Sequence, residues 1–329
     1  MRDVAQRAGV APSTVSRVLN GAPTVDAELT ERVMRAVDEL GYQRNRLARN
    51  LRRQGGTVWA LIISDIENPF FTSLARGVED VAIEAGLSVV LCNTDEKLHK
   101  ERRYIDVALA EQVAGVILSP ASDCSDVAAL GAGHVPTVTV DRQIRDADLD
   151  SILVDNHAGA LQATAHLLHA GYERVACISG PTRATTAAER VAGYEEALRK
   201  TGKPVLPDLI RAADFRVEGG YGAASALMEL AEPPDALFVA NNLMAAGALA
   251  ALHDAHASVP GAVGVVGFDD SPWASLTAPR LTTVAQPTYH MGETAAQLLL
   301  RRTADGETPP QVVTLPTELR VRESSRGPG

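Results

Sequence analysis

From Val58 onward, the sequence alternates short apolar runs rich in β-branched residues with longer amphipathic runs. The apolar runs are VWALII (58–63), SVVLC (88–92), AGVILSP (114–120), TVTV (137–140), SILV (151–154), RVACI (174–178), DALFV (235–239) and VGVVGF (263–268). Strands that are apolar on both faces, separated by helices such as those expected near 70–85 and 97–111, are typical of parallel sheets buried between helix layers. The pattern predicts a doubly wound α/β body, built as one domain or as two similar halves.

Small ligands of such sheets bind outside the carboxyl ends of the strands. The loops that follow the predicted strands are 64–71, 141–145, 179–190, 240–243 and 268–273. We therefore expect the body to bind a small molecule in these loops.

The first 54 residues differ from the body in charge. They contain ten arginines, no lysine and six acidic residues, a net charge of +4, whereas the whole chain carries −10. A small basic head on an acidic body indicates that the head meets a polyanion, although a solvated charged surface would have the same composition.

Three short helices are predicted in the head, over Arg2–Ala8, Pro12–Asn20 and Ala27–Leu40, because glycines follow them at helix-ending positions. A helix, a glycine-containing turn and a second helix form a helix-turn-helix motif. Its expected interior residues are Val4, Ala5, Ala8, Val10, Val15 and Val18, and the apolar stripe of the third helix is Leu29, Val33, Ala36, Val37 and Leu40.

The second helix leaves short polar side chains and one arginine on or near its open side: Ser13, Thr14, Ser16, Arg17 and Asn20. Hydroxyl and amide groups at such positions can reach DNA phosphates, and Arg17 can reach a guanine edge in the major groove. The head is therefore predicted to bind double-stranded DNA.

Other classes of protein are disfavoured. The three cysteines show no CxxC spacing and cannot form a disulfide framework. No apolar run approaches the roughly 18 residues of a membrane span, and MRDVAQRAGV lacks the apolar core of a signal peptide. A cytoplasmic protein, associated with the nucleoid and not with a membrane, is expected.

Motifs for catalysis and for cofactor binding are also missing from the sequence. It contains no GxSxG, HExxH or GxxxxGK, and Gly261, Gly264 and Gly267 do not have dinucleotide spacing. His166 and His169 lie three apart without a completing carboxylate or cysteine, so no metal site is expected. We expect no catalytic residues and no cofactor, and a sugar-active enzyme remains the less favoured class.

The whole chain resembles the lac-repressor (LacI/GalR) family of bacterial transcription regulators. The resemblance starts in VAQRAGVAPSTVSRVLNG and VDAELTERVMRAVDELGYQRNRLARNLR. It continues in order through NPFF, VDR, VDN, HLLHAGYERVACISGP, ERVAGY, FVANNLMAAGAL, VVGFDD, LTTVAQP and LPTELRVRES. The family implies an N-terminal helix-turn-helix head and a periplasmic-binding-protein-like body of two doubly wound α/β subdomains.

By this resemblance the head spans 1–43, a hinge helix and linker 44–56, and the body 57–329. The first subdomain would contain 57–156 and 287–315, and the second 157–286 and 316–329. No leucine heptad of the kind that makes tetramers follows LPTELRVRES. The family then implies a homodimer on a near-palindromic operator.

The resemblance also assigns DNA contacts by position. Pro12, Ser13 and Arg17 match positions that read bases, and Thr14, Ser16 and Asn20 match positions that hold phosphates. In the hinge the matching residue is Leu51, which would wedge between base pairs in the minor groove. Arg49 adds charge suited to phosphates beside it, and Asn45, which can cap the hinge helix, is the third hinge residue expected at the DNA. Two departures from the family are Ala11, in place of a hydroxyl residue before the second helix, and Arg44, in place of proline before the hinge.

The effector contacts implied in the body are Asn68, Phe70, Phe71, Asp141, Arg142, Arg190, Phe215, Asn241, Asp269 and Gln286. Carboxylates and amides suit vicinal hydroxyls, and phenyl rings pack on the apolar face of a sugar. A pentose-like monosaccharide is expected, and the chain would repress carbohydrate-utilisation genes. A purine or nucleoside effector, a partner-protein-dependent catabolite regulator, and structural salt bridges for Asp141–Arg142 or Arg190–Asp269 remain alternatives.

Overall fold

The computed structural model describes residues 2–19, 25–40, 56–305 and 308–327, without the side chains of Arg2, Ser16 and Leu19. The chain divides into two compact units, Met1–Gly55 and Gly56–Gly329. The units are called the head and the body below.

The head contains helices α1 (Arg2–Ala8), α2 (Pro12–Leu19) and α3 (Ala27–Glu39). Gly9 has a φ of 64°, which allows the tight turn between α1 and α2. Arg32 of α3 donates a 2.7 Å hydrogen bond to the carbonyl of Ala8, at the end of α1. This bond fixes α3 against the turn of the motif.

A small apolar core holds the head together. Its buried residues are Val4, Ala5, Ala8, Val15, Val18, Val33 and Ala36, with Val10, Val25 and Val37 packed against them. The predicted interior of the helix-turn-helix is confirmed. The prediction for Leu40 is wrong, because it follows the last turn of α3 and is 46 % exposed.

The first sheet of the body has the order β11-β5-β4-β3-β1-β2, and all its strands are parallel. The strands are β1 (Val58–Ile63), β2 (Ser88–Asn93), β3 (Gly115–Leu118), β4 (Thr137–Val140), β5 (Asp150–Val154) and β11 (Val312–Leu315). Helices α4 (Pro69–Glu84), α5 (Leu98–Ala110), α6 (Ala128–Ala132) and α11 (Thr288–Ala304) belong to this half. β3 and β4 are buried throughout, as the apolar runs predict.

The second sheet has the order β12-β10-β9-β8-β6-β7, and only the β10–β12 pair is antiparallel within the described residues. The strands are β6 (Val175–Ser179), β7 (Ile210–Ala212), β8 (Ala236–Val239), β9 (Gly264–Phe268), β10 (Thr282–Ala285) and β12 (Glu318–Arg320). Helices α7 (Asn156–His169), α8 (Thr185–Lys200), α9 (Val217–Met228) and α10 (Asn242–Asp254) cover it. Short 3-10 helices occupy Pro207–Leu209, Pro272–Ser275 and Glu323–Ser325.

The chain crosses between the two sheets three times: after β5, after β10 and between β11 and β12. The body therefore has two similar α/β halves, which is one of the two arrangements that the strand pattern left open. Each half has its own apolar layers on both faces of its sheet. No helix of the described chain is long and apolar enough to cross a membrane.

Candidate functional site

A cleft lies between the two sheets. Loops after several strands line it, which is where ligands of parallel sheets bind. The lining residues are Asp65, Asn68, Phe70, Phe71, Glu96, Asp141, Arg142, Thr186, Arg190, Asp214, Phe215, Asn241, Asp269 and Gln286. The structure thus brings all ten predicted effector residues into one cavity.

Asp141 and Arg142 follow β4 and line the cleft from the first half. Arg142 pairs with both carboxylate oxygens of Glu96 at 2.7 Å and donates to the Pro120 carbonyl at 3.1 Å. Its Nε lies 3.3 Å from Asp141 Oδ2, without the geometry of a hydrogen bond. Asp141 and Arg142 are therefore in ionic contact, as the salt-bridge alternative proposes. The two side-chain hydrogen bonds of Arg142 to a carboxylate are, however, made with Glu96.

Arg190 projects from α8 in the second half and is 3 % exposed. Its Nε donates to Asn156 Oδ1 at 2.8 Å and its Nη1 donates to the carbonyl of Ala240. Its guanidinium carbon lies 3.7 Å from the centre of the Phe268 ring. Arg190 forms no ion pair with Asp269 in the described body, so the structure does not support that alternative.

Asp269 and Gln286 meet at the second crossover. Asp269 follows β9, and Gln286 Nε2 donates to Asp269 Oδ1 at 2.5 Å. Gln286 Oε1 is buried and has no hydrogen-bond partner in the described chain. A buried acceptor without a partner requires a donor from a ligand or water.

Asn68 and Asn241 cap the helices that begin at the cleft. Asn68 Oδ1 accepts from the Phe70 amide at 3.0 Å, and Asn241 Oδ1 accepts from the Met244 amide at 2.8 Å. Asn242 Nδ2 donates to Asn68 Oδ1 at 2.9 Å and thereby joins the two halves. The asparagines place the helix ends of both halves against the cavity.

Aromatic rings enclose the cleft. Phe70 and Phe71 pack edge to face, with 4.9 Å between the ring centres. Phe215 comes from the other half, and the Arg142 guanidinium lies 5.4 Å from its ring centre. A Cβ on Gly180 would lie 2.0 Å from the Phe215 ring, so only glycine leaves room for the ring there.

Burial dominates the electrostatics of the cleft. It raises the pKa of Asp141 to about 6, although Arg142 and Arg190 oppose the shift. Burial also raises the pKa of Asp269 and lowers that of Arg190. For Arg142, burial acts downward, but attraction to Glu96 and Asp141 outweighs it and leaves the pKa raised. The cleft therefore holds charged groups at a cost in folding stability.

Backbone strain is concentrated at the same place. Glu96, Asp141, Phe215 and Asp269 all line the cleft and have φ values between 58° and 72°. Non-glycine residues adopt this left-handed region at a cost of roughly 1–3 kcal/mol. Such strain clusters where side chains must be aimed at a ligand.

Sequence reasoning missed four residues that line the cleft: Asp65, Glu96, Thr186 and Asp214. Asp65 and Asp214 lie in loops after β1 and β7, and Thr186 lies in the first turn of α8. Glu96 lies in the loop after β2. The signal that could have identified Glu96 is the need of a buried Arg142 for a second acidic partner.

The predicted DNA-contact residues of α2 lie on the surface of the head. Pro12, Ser13 and Arg17 are exposed and Thr14 is half-buried. The side chain of Ser16 and the residues Asn20, Asn45, Arg49 and Leu51 lie outside what the structure describes. Ala11 presents its carbonyl to the start of α2, where it accepts from Thr14 and Val15.

Two family models match the chain: "Bacterial regulatory proteins, lacI family" over residues 1–45 and "Periplasmic binding protein-like domain" over 164–325. The ribose operon repressor of Halalkalibacterium halodurans is 37 % identical over 99 % of this chain and 97 % of that protein. The chain belongs to the LacI family. It is therefore a DNA-binding regulator of transcription.

Two further proteins are similar to this LacI-family member over nearly the full length of both chains. Catabolite control protein A of Priestia megaterium is 32 % identical over 98 % of both chains. A lac repressor dimer bound to operator and an anti-inducer is 28 % identical, superposes with a TM-score of 0.84 and matches over 98 % of both chains. The similarity in sequence and in fold thus covers both the head and the body.

In the described residues no group of three or more metal-ligating side chains occurs.

Proposed function

We propose that this protein is a repressor that binds a near-palindromic operator as a homodimer and responds to an uncharged, pentose-like monosaccharide. The monosaccharide binds in the cleft between the two halves of the body. The protein acts in the cytoplasm and catalyses no reaction on its effector.

The observation that supports this effector class is the set of polar groups that line a single cleft. Asp141 and Asp269 offer carboxylate acceptors, and Gln286 Oε1 is a buried acceptor without a partner in the described chain. Arg190 has its Nε and Nη1 engaged, which leaves Nη2 to donate. Acceptors and donors arranged between Phe70, Phe71 and Phe215 fit the hydroxyl groups and apolar face of a small sugar.

The name of the relative from Halalkalibacterium halodurans refers to ribose. Ribose is a pentose, which agrees with a cleft lined by aromatic rings and polar groups. We propose ribose or a close pentose as the first effector to test.

The proposed DNA contacts are those of α2 and the hinge. Pro12, Ser13 and Arg17 would read bases, and Thr14, Ser16 and Asn20 would hold phosphates. Asn45 and Arg49 would contact the backbone, and Leu51 would wedge between central base pairs. The exposure of Pro12, Ser13 and Arg17 supports this proposal.

A second copy is the proposed occupant of one apolar surface of the body. Ile83 at the end of α4 is 63 % exposed, and Val90 on the edge strand β2 is 51 % exposed. Exposed apolar groups on an edge strand are typical of a subunit interface. The lac repressor structure that superposes on this chain is itself a dimer on operator.

The test uses the full chain and a panel of pentoses, hexoses and nucleosides. Thermal unfolding identifies the effector, because a ligand of the native state stabilises it by mass action. Binding to a fluorescent palindromic operator is then measured with and without that effector. A pentose that raises the melting temperature and changes operator affinity supports the proposal.

Each alternative predicts a different result. A shift by nucleosides alone would favour a purine-responsive regulator, and operator control that needs a second protein would favour a catabolite regulator. Consumption of the sugar during incubation would reveal an enzyme.

A further inference from the structure

The positive charge of Arg142 is already compensated inside the cleft. Its two terminal nitrogens donate to the two oxygens of Glu96 at 2.7 Å each, a fork-to-fork pair. Asp141 Oδ2 lies 3.3 Å from its Nε. The side chain of Arg142 is 5 % exposed and that of Glu96 is 12 % exposed, so water screens this pair weakly.

The structure holds Glu96 in place from both halves of the body. Its amide donates to the Ser64 carbonyl at 3.2 Å within the first half. Its own carbonyl accepts from Arg183 Nη2 of the second half, also at 3.2 Å. Its φ of 58° aims the side chain toward Arg142 at the expense of backbone strain. Glu96 is thus a fixed part of the cleft wall.

Carboxylates outnumber cations around the cavity. Five of them, from Asp65, Glu96, Asp141, Asp214 and Asp269, line it together with only two guanidinium groups. Arg190, the second guanidinium, is engaged by Asn156 and by the Ala240 carbonyl. Burial raises the pKa of Asp141 to about 6, and the neighbouring carboxylates of Asp269 and Glu96 act in the same direction. An entering anion would lose its hydration, would find the charge of Arg142 already compensated by Glu96, and would be repelled by the excess of carboxylates.

We infer that Glu96 is a specificity-determining residue: by occupying Arg142, it restricts the cleft to uncharged polyhydroxy ligands and excludes sugars that carry phosphate or carboxylate. This inference rests on the proposed function, because it concerns the effector of the same cleft. Without Glu96, Arg142 would offer a bidentate fork of the kind that binds phosphate.

The test compares D-ribose, D-ribose 5-phosphate and inorganic phosphate on the full chain by calorimetry and thermal unfolding at constant ionic strength. The wild type is expected to show no shift with phosphate beyond that with chloride. Glu96→Gln, which keeps the shape of the side chain, is expected to bind ribose 5-phosphate about tenfold or more tightly than the wild type does.

Two matched variants locate the effect. Glu67→Gln removes the same charge from an exposed position two residues beyond Asp65 and should gain no affinity for phosphate. The double variant Glu96→Gln/Arg142→Gln should lose the gain, because the freed cation is gone. A gain that survives in the double variant would assign the effect to general charge and overturn the inference.

Binding measurements on the wild type alone can also overturn the inference about Glu96. If the wild type binds ribose 5-phosphate as tightly as ribose, Glu96 excludes nothing, whether or not the variants fold. A folded Glu96→Gln that gains no anion affinity would refute the inference as well. Failure of the proposed function would give a different result. In that case no neutral sugar would change the melting temperature of the wild type, whereas binding of inorganic phosphate to Glu96→Gln would still show whether Arg142 has been freed.

Discussion

Asp141 is a buried carboxyl group of the cleft whose ionisation lowers the stability of the native state. Burial raises its pKa to about 6 from an ordinary value of 3.8. A raised pKa means that the native state favours the protonated form, so the contribution of Asp141 to stability is full below pH 4 and is lost as the pH rises through 6. At pH 7 the ionised group costs about 3 kcal/mol.

Asp141→Asn should therefore be more stable than the wild type at pH 7.5 and lose its advantage near pH 4. Asparagine tolerates the φ of 71° at this position, so the backbone should not change. Urea unfolding of both proteins from pH 4 to 8 measures the difference. Asp148→Asn, at an exposed aspartate, is the control and should follow the wild type at every pH. A pH-independent difference for Asp141→Asn would contradict the expected cause.

Gly180 gives a second prediction at the residue scale. A Cβ there would lie 2.0 Å from the Phe215 ring. Gly180→Ala should displace the ring and weaken effector binding by about tenfold, while operator affinity without effector stays unchanged. Gly222→Ala is the matched control, since nothing lies within 4 Å of a Cβ on that helical glycine. Unaltered effector affinity in Gly180→Ala would show that the ring does not touch the ligand.

The candidate site was predictable from the sequence to the extent that its residues follow strands or lie in recognisable motifs. Asp141, Asn241 and Asp269 come directly after buried strands or at helix starts, so their position at the cleft follows from the topology. Glu96 was not predictable in this way. Its partner Arg142 is 46 positions away, and the pair depends on how two loops approach each other.

At the scale of elements, continuous apolar runs predicted strands correctly because both faces of those strands are buried. β1, β3, β4, β6, β8 and β9 all match predicted runs to within two residues at either end. β7, β10, β11 and β12 were not predicted. β7, β11 and β12 are short, lie at sheet edges and contain exposed and half-buried residues, whereas β10 is buried but has only four residues, two of them threonines. Edge strands need fewer apolar residues, and this weakens their sequence signal.

Helix α2 carries the element-scale prediction. Arg17→Ala should cost roughly 1–3 kcal/mol at a single base position, because Arg17 is exposed and suited to a guanine edge. Thr14→Ala should instead weaken binding to all sequences alike, since a phosphate contact carries no sequence information. Fluorescence titrations against a set of operators with single base changes distinguish the two patterns. Uniform weakening by Arg17→Ala would remove it from the base-reading set.

The whole molecule combines a DNA-binding head with a body whose two halves share three chain crossings. The strand pattern left open whether one sheet or two would form, because parallel strands look alike in either case. Two sheets form because β5 and β6 belong to different sheets, and the last two strands, β11 and β12, pair with β5 and β10 across more than 30 residues of sequence. Long-range pairings of this kind have no local signature.

Two of the three crossings contact the proposed effector residues. Arg190 donates to Asn156, which follows β5, and Gln286, which follows β10, donates to Asp269. Asn156 also donates to Glu189 at 2.9 Å and so links the crossing to α8. A ligand that draws on Arg190 and Asp269 therefore acts on the segments that connect the two halves. Effector and operator binding can be coupled only if the effector favours one arrangement of the halves.

Arg190→Ala and Asp269→Ala should therefore keep operator affinity and lose the response to effector. Each removes a polar partner of the ligand, at a cost of about 1–3 kcal/mol or more in effector affinity, and neither residue belongs to the head. Because the loss of a buried group can also destabilise the body, Arg190→Lys and Asp269→Asn are made alongside, and urea unfolding checks that each variant is folded. Operator binding is then titrated with the effector identified by thermal shift. If effector still releases a variant from the operator at the wild-type concentration, the substituted residue stabilises the fold and does not bind the ligand. Variants that bind operator but no longer respond, even at a large excess of effector, place both residues in the switch.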